Sequence, residues 1–261
     1  MLTKATIEFL LKEPHIVCLM SYDGFKNLRR SGMMRTILFF GLMAWVSVHA
    51  APAMNVYTIN TADQSAYHAW ARASGPAMGE SVNASLVGIC KPITGAYHDD
   101  DLYAYMFTDT LADALAALPG NDVMKAEVAK LEISRKVMAR EVLSLVKTQS
   151  AVTLKVGQTD AIWNTLAHVP NVDAYVKAVT AMEKAFHKNG FNDVGIQIFV
   201  GHSGGVSGMV MSGVIAKTPA RLGEAFDSLG ESWAKGPYKA VVAKRKVARG
   251  LSAMCETVYV K

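Results

Sequence analysis

Val194-Gly195-Ile196-Gln197-Ile198-Phe199-Val200 (VGIQIFV) is the stretch that decides the reading of this chain. Its first three residues already stand at Val87-Gly88-Ile89, 107 positions earlier. The run is β-branched and aromatic and leads into the glycine-rich turn Gly201-His202-Ser203-Gly204-Gly205, so it reads as the first strand of a hairpin. Working outward, the offset recurs. Tyr67 returns as Tyr175 at 108, Arg135-Lys136-Val137 as Arg245-Lys246-Val247 at 110, and Leu118 as Leu229 at 111. Matches in one order at a nearly constant spacing indicate two copies of one structural unit.

The second copy, 151–261, predicts a short strand at 151–156 and a helix at 160–168 with Asp160 as its N-cap. A longer helix follows at 172–188, closed by Asn189-Gly190. The hairpin strands are 194–200 and 206–216. A helix opens at Thr218-Pro219 and runs to about Arg249, and a last strand covers 251–260. The first copy, 54–148, follows the same plan: strand 55–60, helix 62–73, strands 84–91 and 102–108, helices over 110–140, and strand 141–147. On this reading the segment 162–168 is an insertion in the second copy. The order β-α-β-β-α-β is that of a ferredoxin-like split βαβ unit.

Such a unit leaves one sheet face bare, and two copies cover it by turning those faces together. The element order and the repeat resemble the dimeric α+β barrel superfamily, here with two units fused in one chain. The expected fold class is therefore α+β: two tandem ferredoxin-like βαββαβ units packed sheet to sheet as a pseudo-dimeric α+β barrel. The resemblance covers roughly residues 54–261. It implies relatives that include antibiotic-biosynthesis-type monooxygenases, haem proteins and non-enzymatic binders, among which fold alone does not choose.

The N-terminus carries a different signal. Thr36 to Val48 is an uncharged apolar run of thirteen residues behind Lys26, Arg29, Arg30 and Arg35, followed by Val48-His49-Ala50. That is the layout of a secretory signal peptide, and at ~1.5 Å per residue the run is short for a ~30 Å hydrocarbon core. The expectation is a signal peptide at 33–50, preceded at 1–32 by a long leader or by residues ahead of the true start. The chain is then exported, periplasmic or secreted, and meets a membrane only through that segment if it stays uncleaved. Setting 1–50 aside leaves 21 of the 27 basic and 19 of the 22 acidic residues. So balanced a charge gives no case for nucleic acid as a partner. Cys90 and Cys255 remain of the three cysteines, either as buried thiols or as a disulfide.

Tyr103, Tyr105 and Phe107 alternate on one predicted strand. Met209 and Met211 stand on another beside Gly208 and Gly213, where glycine marks a bulge or a close approach. These five residues are the ligand-cavity candidates, facing Val206, Val210 and Val214 between the sheets. The weaker polar candidates are His68 beside Tyr67 and Trp70, His98 ahead of three aspartates, and His202 in the glycine-rich turn. Asp-Asp-Asp in a hairpin is ordinary solvated turn chemistry, so no metal is expected. Haem-binding relatives of the tandem type take their axial histidine from a helix of the second unit. The stretch from Pro219 to Arg249 holds none, so no cofactor is expected either. The basic runs ending at Arg140 and Arg249 read as solvated helix faces.

No nucleophile motif or paired-carboxylate pattern assigns a catalytic residue. The sequence points to an exported small-molecule-binding or accessory protein with an inter-sheet cavity and a small hydrophobic ligand. The alternative is a cofactor-independent monooxygenase-like enzyme of the dimeric α+β barrel type.

Overall fold

The computed structural model describes residues 51–117 and 120–261. The expectations for 1–50, the signal segment included, and the Leu118 match lie outside them. The first repeat comprises β1 (Ala53–Asn60), α1 (Gln64–Ser81), β2 (Leu86–Thr94), β3 (Asp101–Thr108), α2 (Leu111–Ala116), α3 (Asp122–Ala129) and β4 (Lys136–Lys147). The second comprises β5 (Thr159–His168), α4 (Val172–Lys188), β6 (Gly195–Ser203), β7 (Val210–Ala216), α5 (Pro219–Asp227), α6 (Ser232–Val242) and β8 (Lys246–Val260). The helices begin where side chains cap them: Asp63 accepts from the Ala66 amide, Asn171 from Ala174 and Thr218 from Arg221.

Each repeat forms an antiparallel sheet of the same order, β4-β1-β3-β2 and β8-β5-β7-β6. The edges join through β2–β8 and β4–β6 to close one eight-stranded barrel. This is the dimeric α+β barrel with both halves in one chain. Closure removes the exposed sheet edges, and the helices pack outside.

Strand alternation divides the core into layers. Outward residues such as Ile59, Ile89, Leu102 and Met106 meet Tyr67 and Ala71 of α1 in the first repeat. Ile196, Ile198, Val210 and Ala216 meet Tyr175, Val179, Met182 and Phe186 of α4 in the second. Inward residues form two further clusters, one around Cys90, Tyr103, Ile162 and Cys255, the other around Met54, Leu143, Phe199 and Val206. The seam β4–β6 is anchored by a buried ion pair. Lys147 Nζ lies 2.5 Å from Glu183 Oε2, while Glu183 Oε1 accepts from the Ile196 amide. At the other seam Cys90 and Cys255 are register partners and are bonded as a disulfide.

Several expectations need correction. Residues 160–168 form strand β5, not a helix, and 151–156 are irregular chain, not a strand. Asp160 is no helix cap. Its strand buries both faces, one under α5 and one in the barrel, so a polar residue on the inner face imitated helical spacing. The second copy therefore holds no insertion at 162–168, and the additional residues join the copies at 148–158. The Arg-Lys-Val matches open β4 and β8, since the preceding helices end at Ala129 and Val242. Lys136, Arg140, Lys246 and Arg249 thus belong to strands. On β7 the inward positions are Met211, Gly213 and Ile215, one residue out of phase with Val210 and Val214, which join the outer core beneath the helices. Among the described residues no helix is long and apolar enough to cross a membrane.

Candidate functional site

The inward side chains do not fill the barrel. They leave a cavity of about 160 Å³, walled on most sides by apolar groups such as Met54, Val56, Leu143, Leu166 and Phe199. Tyr103, Tyr105, Phe107 and Met211 line it, as does the Cys90–Cys255 disulfide. Met209 does not. It stands in the turn before β7, where its carbonyl accepts from the Gly201 amide, one residue short of the strand that would have aimed it inward. Gly88 gives Tyr105 its place: a Cβ there would lie 2.3 Å from the phenol oxygen. Gly213 is likewise crowded by Asn164 and Gln197, whose amides reach across it.

The second repeat supplies most of the interior polarity. Asp160, at 2 % exposure, enters the apolar wall from the second position of β5. Gln158 donates to both of its oxygens at 2.9 Å. Among the described residues no cation pairs with it. Burial raises its pKa above the usual carboxylate range, against smaller opposing effects of Gln158 and Lys217. Tyr105, whose remaining surface faces the cavity, is pushed up by burial and then by the Asp160 charge, so its phenol stays protonated. Four residues along β5, on the same face, Asn164 carries a buried Oδ1 without a hydrogen-bond partner. Thr257 and Gln197 complete this polar group.

At the mouth, where Tyr97, Gly205 and Gly250 are exposed, Arg249 reaches in from β8. Its Nη2 donates to the Gly95 carbonyl at 2.5 Å and to the Tyr103 phenol at 3.3 Å, and its guanidinium lies 3.5 Å over the Tyr97 ring. Glu141 lines the same end, its carboxyl raised by burial and drawn back by Arg249.

The weaker candidates lie elsewhere. His98 is exposed in the β2–β3 turn, its amide donating to Asp101 Oδ2. His202 is exposed on β6 and bonds Ser144 Oγ at 2.8 Å. His68 lies in a groove outside the barrel, between α1 and β8. There its Nδ1 is 4.0 Å from Glu256, a carboxylate that Arg72 holds with two bonds of 2.7 Å. Burial lowers the His68 pKa more than Glu256 raises it, leaving a neutral ring with a buried, unpartnered Nε2. The three histidines therefore do not converge. Among the described residues no group of three or more His, Cys, Asp or Glu is placed to hold a metal. Sequence reading missed Asp160, Asn164, Glu141 and Arg249. The available signal was alternation: Asp160, Ile162, Asn164 and Leu166 share one face once 160–168 is read as a strand.

No family model matches the sequence, and no curated protein matches it. Solved structures do. A candidate monooxygenase from Lactobacillus acidophilus NCFM aligns at 12 % identity and a TM-score of 0.51, over 80 % of this chain and 95 % of that one. A candidate monooxygenase from Fusobacterium nucleatum aligns at 10 % identity and a TM-score of 0.53, over 82 % and 95 %. An anthrone oxidase-like protein aligns at 11 % identity and a TM-score of 0.51, over 80 % and 92 %. Likeness at such identity is a likeness of fold.

Proposed function

We propose that this chain is a cofactor-independent monooxygenase-like enzyme that acts on a small, electron-rich aromatic molecule held inside the barrel. The observation that carries the reading is Asp160, a buried carboxylate that pairs with no cation among the described residues, in a chamber walled largely by apolar groups, its pKa raised by desolvation. A carboxylate made more basic by burial is suited to accept a proton as a general base. The fold shared with proteins described as monooxygenases and as anthrone oxidase-like supports the same reading.

The chemistry balances with dioxygen as the co-reactant. Asp160 takes the proton of a phenolic hydroxyl, and the electron-rich phenolate passes one electron to O₂. The resulting radical pair combines at a ring carbon bearing hydrogen, forming a carbon–oxygen bond. Asp160 returns its proton to the distal peroxide oxygen. Loss of water, with the hydrogen of that carbon, leaves a carbonyl. Substrate plus O₂ gives the oxygenated quinone and one water. Tyr105, kept protonated beside Asp160, donates to the developing peroxide, and Asn164 accepts from a second ring hydroxyl.

Oxygen uptake with hydroquinone as probe tests this. The protein should accelerate uptake above the buffer rate, and Asp160→Asn should remove about 10²-fold or more of that acceleration. Equal rates with and without Asp160 would overturn the proposal. The second reading is an exported binding or accessory protein, which the largely apolar walls favour. It predicts saturable binding without oxygen uptake. Export rests on residues 33–50 and is tested by N-terminal sequencing of the protein recovered from the periplasm or medium.

A further inference from the structure

The same cavity carries information on what enters it, and the following rests on reading the barrel interior as the reaction chamber. We propose that the substrate class is a single-ring hydroxylated aromatic acid, its hydroxyl at Asp160 and its carboxylate on Arg249. Three observations converge on this.

The first is size. A cavity of about 160 Å³ is close to the ~150 Å³ apolar cavity that holds one benzene ring. Two or three fused rings do not fit the chamber as it stands.

The second is the position of the polar ends. Tyr103 pairs with Cys90, Cys90 with Cys255 and Cys255 with Asp160, so Tyr103 and Asp160 occupy one rung of the barrel, three strands apart. Three spacings of ~4.8 Å give an arc of about 14 Å along the wall. Both side chains point inward across that arc, and Arg249 bonds the Tyr103 phenol. The guanidinium is thereby held at the Tyr103 side of that rung, apart from Asp160.

The third is charge. Arg249 is the cation among the cavity-lining residues, against the acids Glu141 and Asp160. Among the described residues it forms no ion pair, and Nη1 carries no hydrogen bond. Stacking on Tyr97 and the bond to Gly95 fix the guanidinium plane at the mouth. With Nε and Nη2 both donating to Gly95 and Nη2 also to Tyr103, the two Nη1 hydrogens and the unpaired charge are left for a carboxylate.

Equilibrium binding to the full chain at pH 7 tests the inference with four probes: hydroquinone, 2,5-dihydroxybenzoate, its neutral methyl ester, and 1,4-dihydroxy-2-naphthoate. The single-ring acid should bind about ten- to a hundredfold tighter than its ester, and the two-ring acid should not compete. Arg249→Gln should erase the advantage of acid over ester, and Arg249→Lys should restore part of it. An ester that binds as well as the acid, an advantage that survives Arg249→Gln, or a two-ring acid that binds equally well would each overturn the inference. Should Arg249→Gln not fold, the comparison of the single-ring acid, its ester and the two-ring acid on the unaltered chain is decisive by itself. Hydroquinone-dependent oxygen uptake without acid preference would sink this inference and leave the proposed reaction standing. Acid-selective binding without uptake would do the reverse.

Discussion

Tyr103 and Asp160 belong to different repeats, yet the Cys90–Cys255 disulfide sits between them on the same rung of the barrel. The covalent link therefore fixes the register in which the two halves present their polar groups to one chamber. A slip by one residue at that seam would turn Cys255 outward and break the relation, because strand side chains alternate with a period of two.

Replacing both cysteines by serine should accordingly destabilise the fold. The bridge spans a sequence separation of 165 residues, and loops of that order are worth about 3–5 kcal/mol. Chemical denaturation of the double variant against the oxidised chain measures it. Ligand affinity should fall as well, since the seam forms part of the cavity wall.

The raised pKa of Asp160 makes a signed prediction. As a base it must be ionised, so activity falls as pH drops through a midpoint above the ordinary carboxylate range. Stability runs the other way. A carboxyl whose folded pKa exceeds its unfolded value contributes stability below the unfolded pKa and loses that contribution as pH rises through the folded one. Asp160→Asn should therefore have a higher melting temperature than the unaltered chain at pH 7–8, with the difference shrinking in acid. Melting curves across pH read it directly.

Gly88→Ala should damage the cavity more than its single methyl suggests. The new Cβ would fall 2.3 Å from both the Tyr105 hydroxyl and the ring carbon that bears it, so the phenol would have to shift into the cavity. A loss of about 1–3 kcal/mol by denaturation is expected, together with weaker binding of hydroquinone.

Lys147→Met leaves Glu183 buried and without its cation at the second seam. Only 9 % and 7 % of the two side chains are exposed, so the carboxylate has no water to fall back on. Removing one partner of such a pair costs about 3–5 kcal/mol, measurable by urea titration.

How much of this was legible beforehand follows from what each strand faces. Helix α4 was plain because one stripe, Tyr175, Val179, Met182 and Phe186, packs inward while Lys177, Lys184 and Lys188 stay wet. The repeat announced two equivalent units, and the bare sheet faces announced a shared interior. Strand β5 escaped because a strand with both faces buried loses its polar alternation. Asp160 then passed for a helix cap, and the base of the proposed reaction went unnoticed. Arg249 escaped through its basic neighbours, which made the start of β8 look like the wet face of a helix. Tyr103, Tyr105 and Phe107 were visible as a lining because aromatic side chains at a spacing of two have few other uses on a predicted inner face.

The most direct test is to locate a bound phenol in a crystal of the protein. The account places phenol within the barrel, its hydroxyl on Asp160 beside Tyr105. Density in the outer groove beside His68, Arg72 and Glu256, with the barrel interior unchanged, would contradict it.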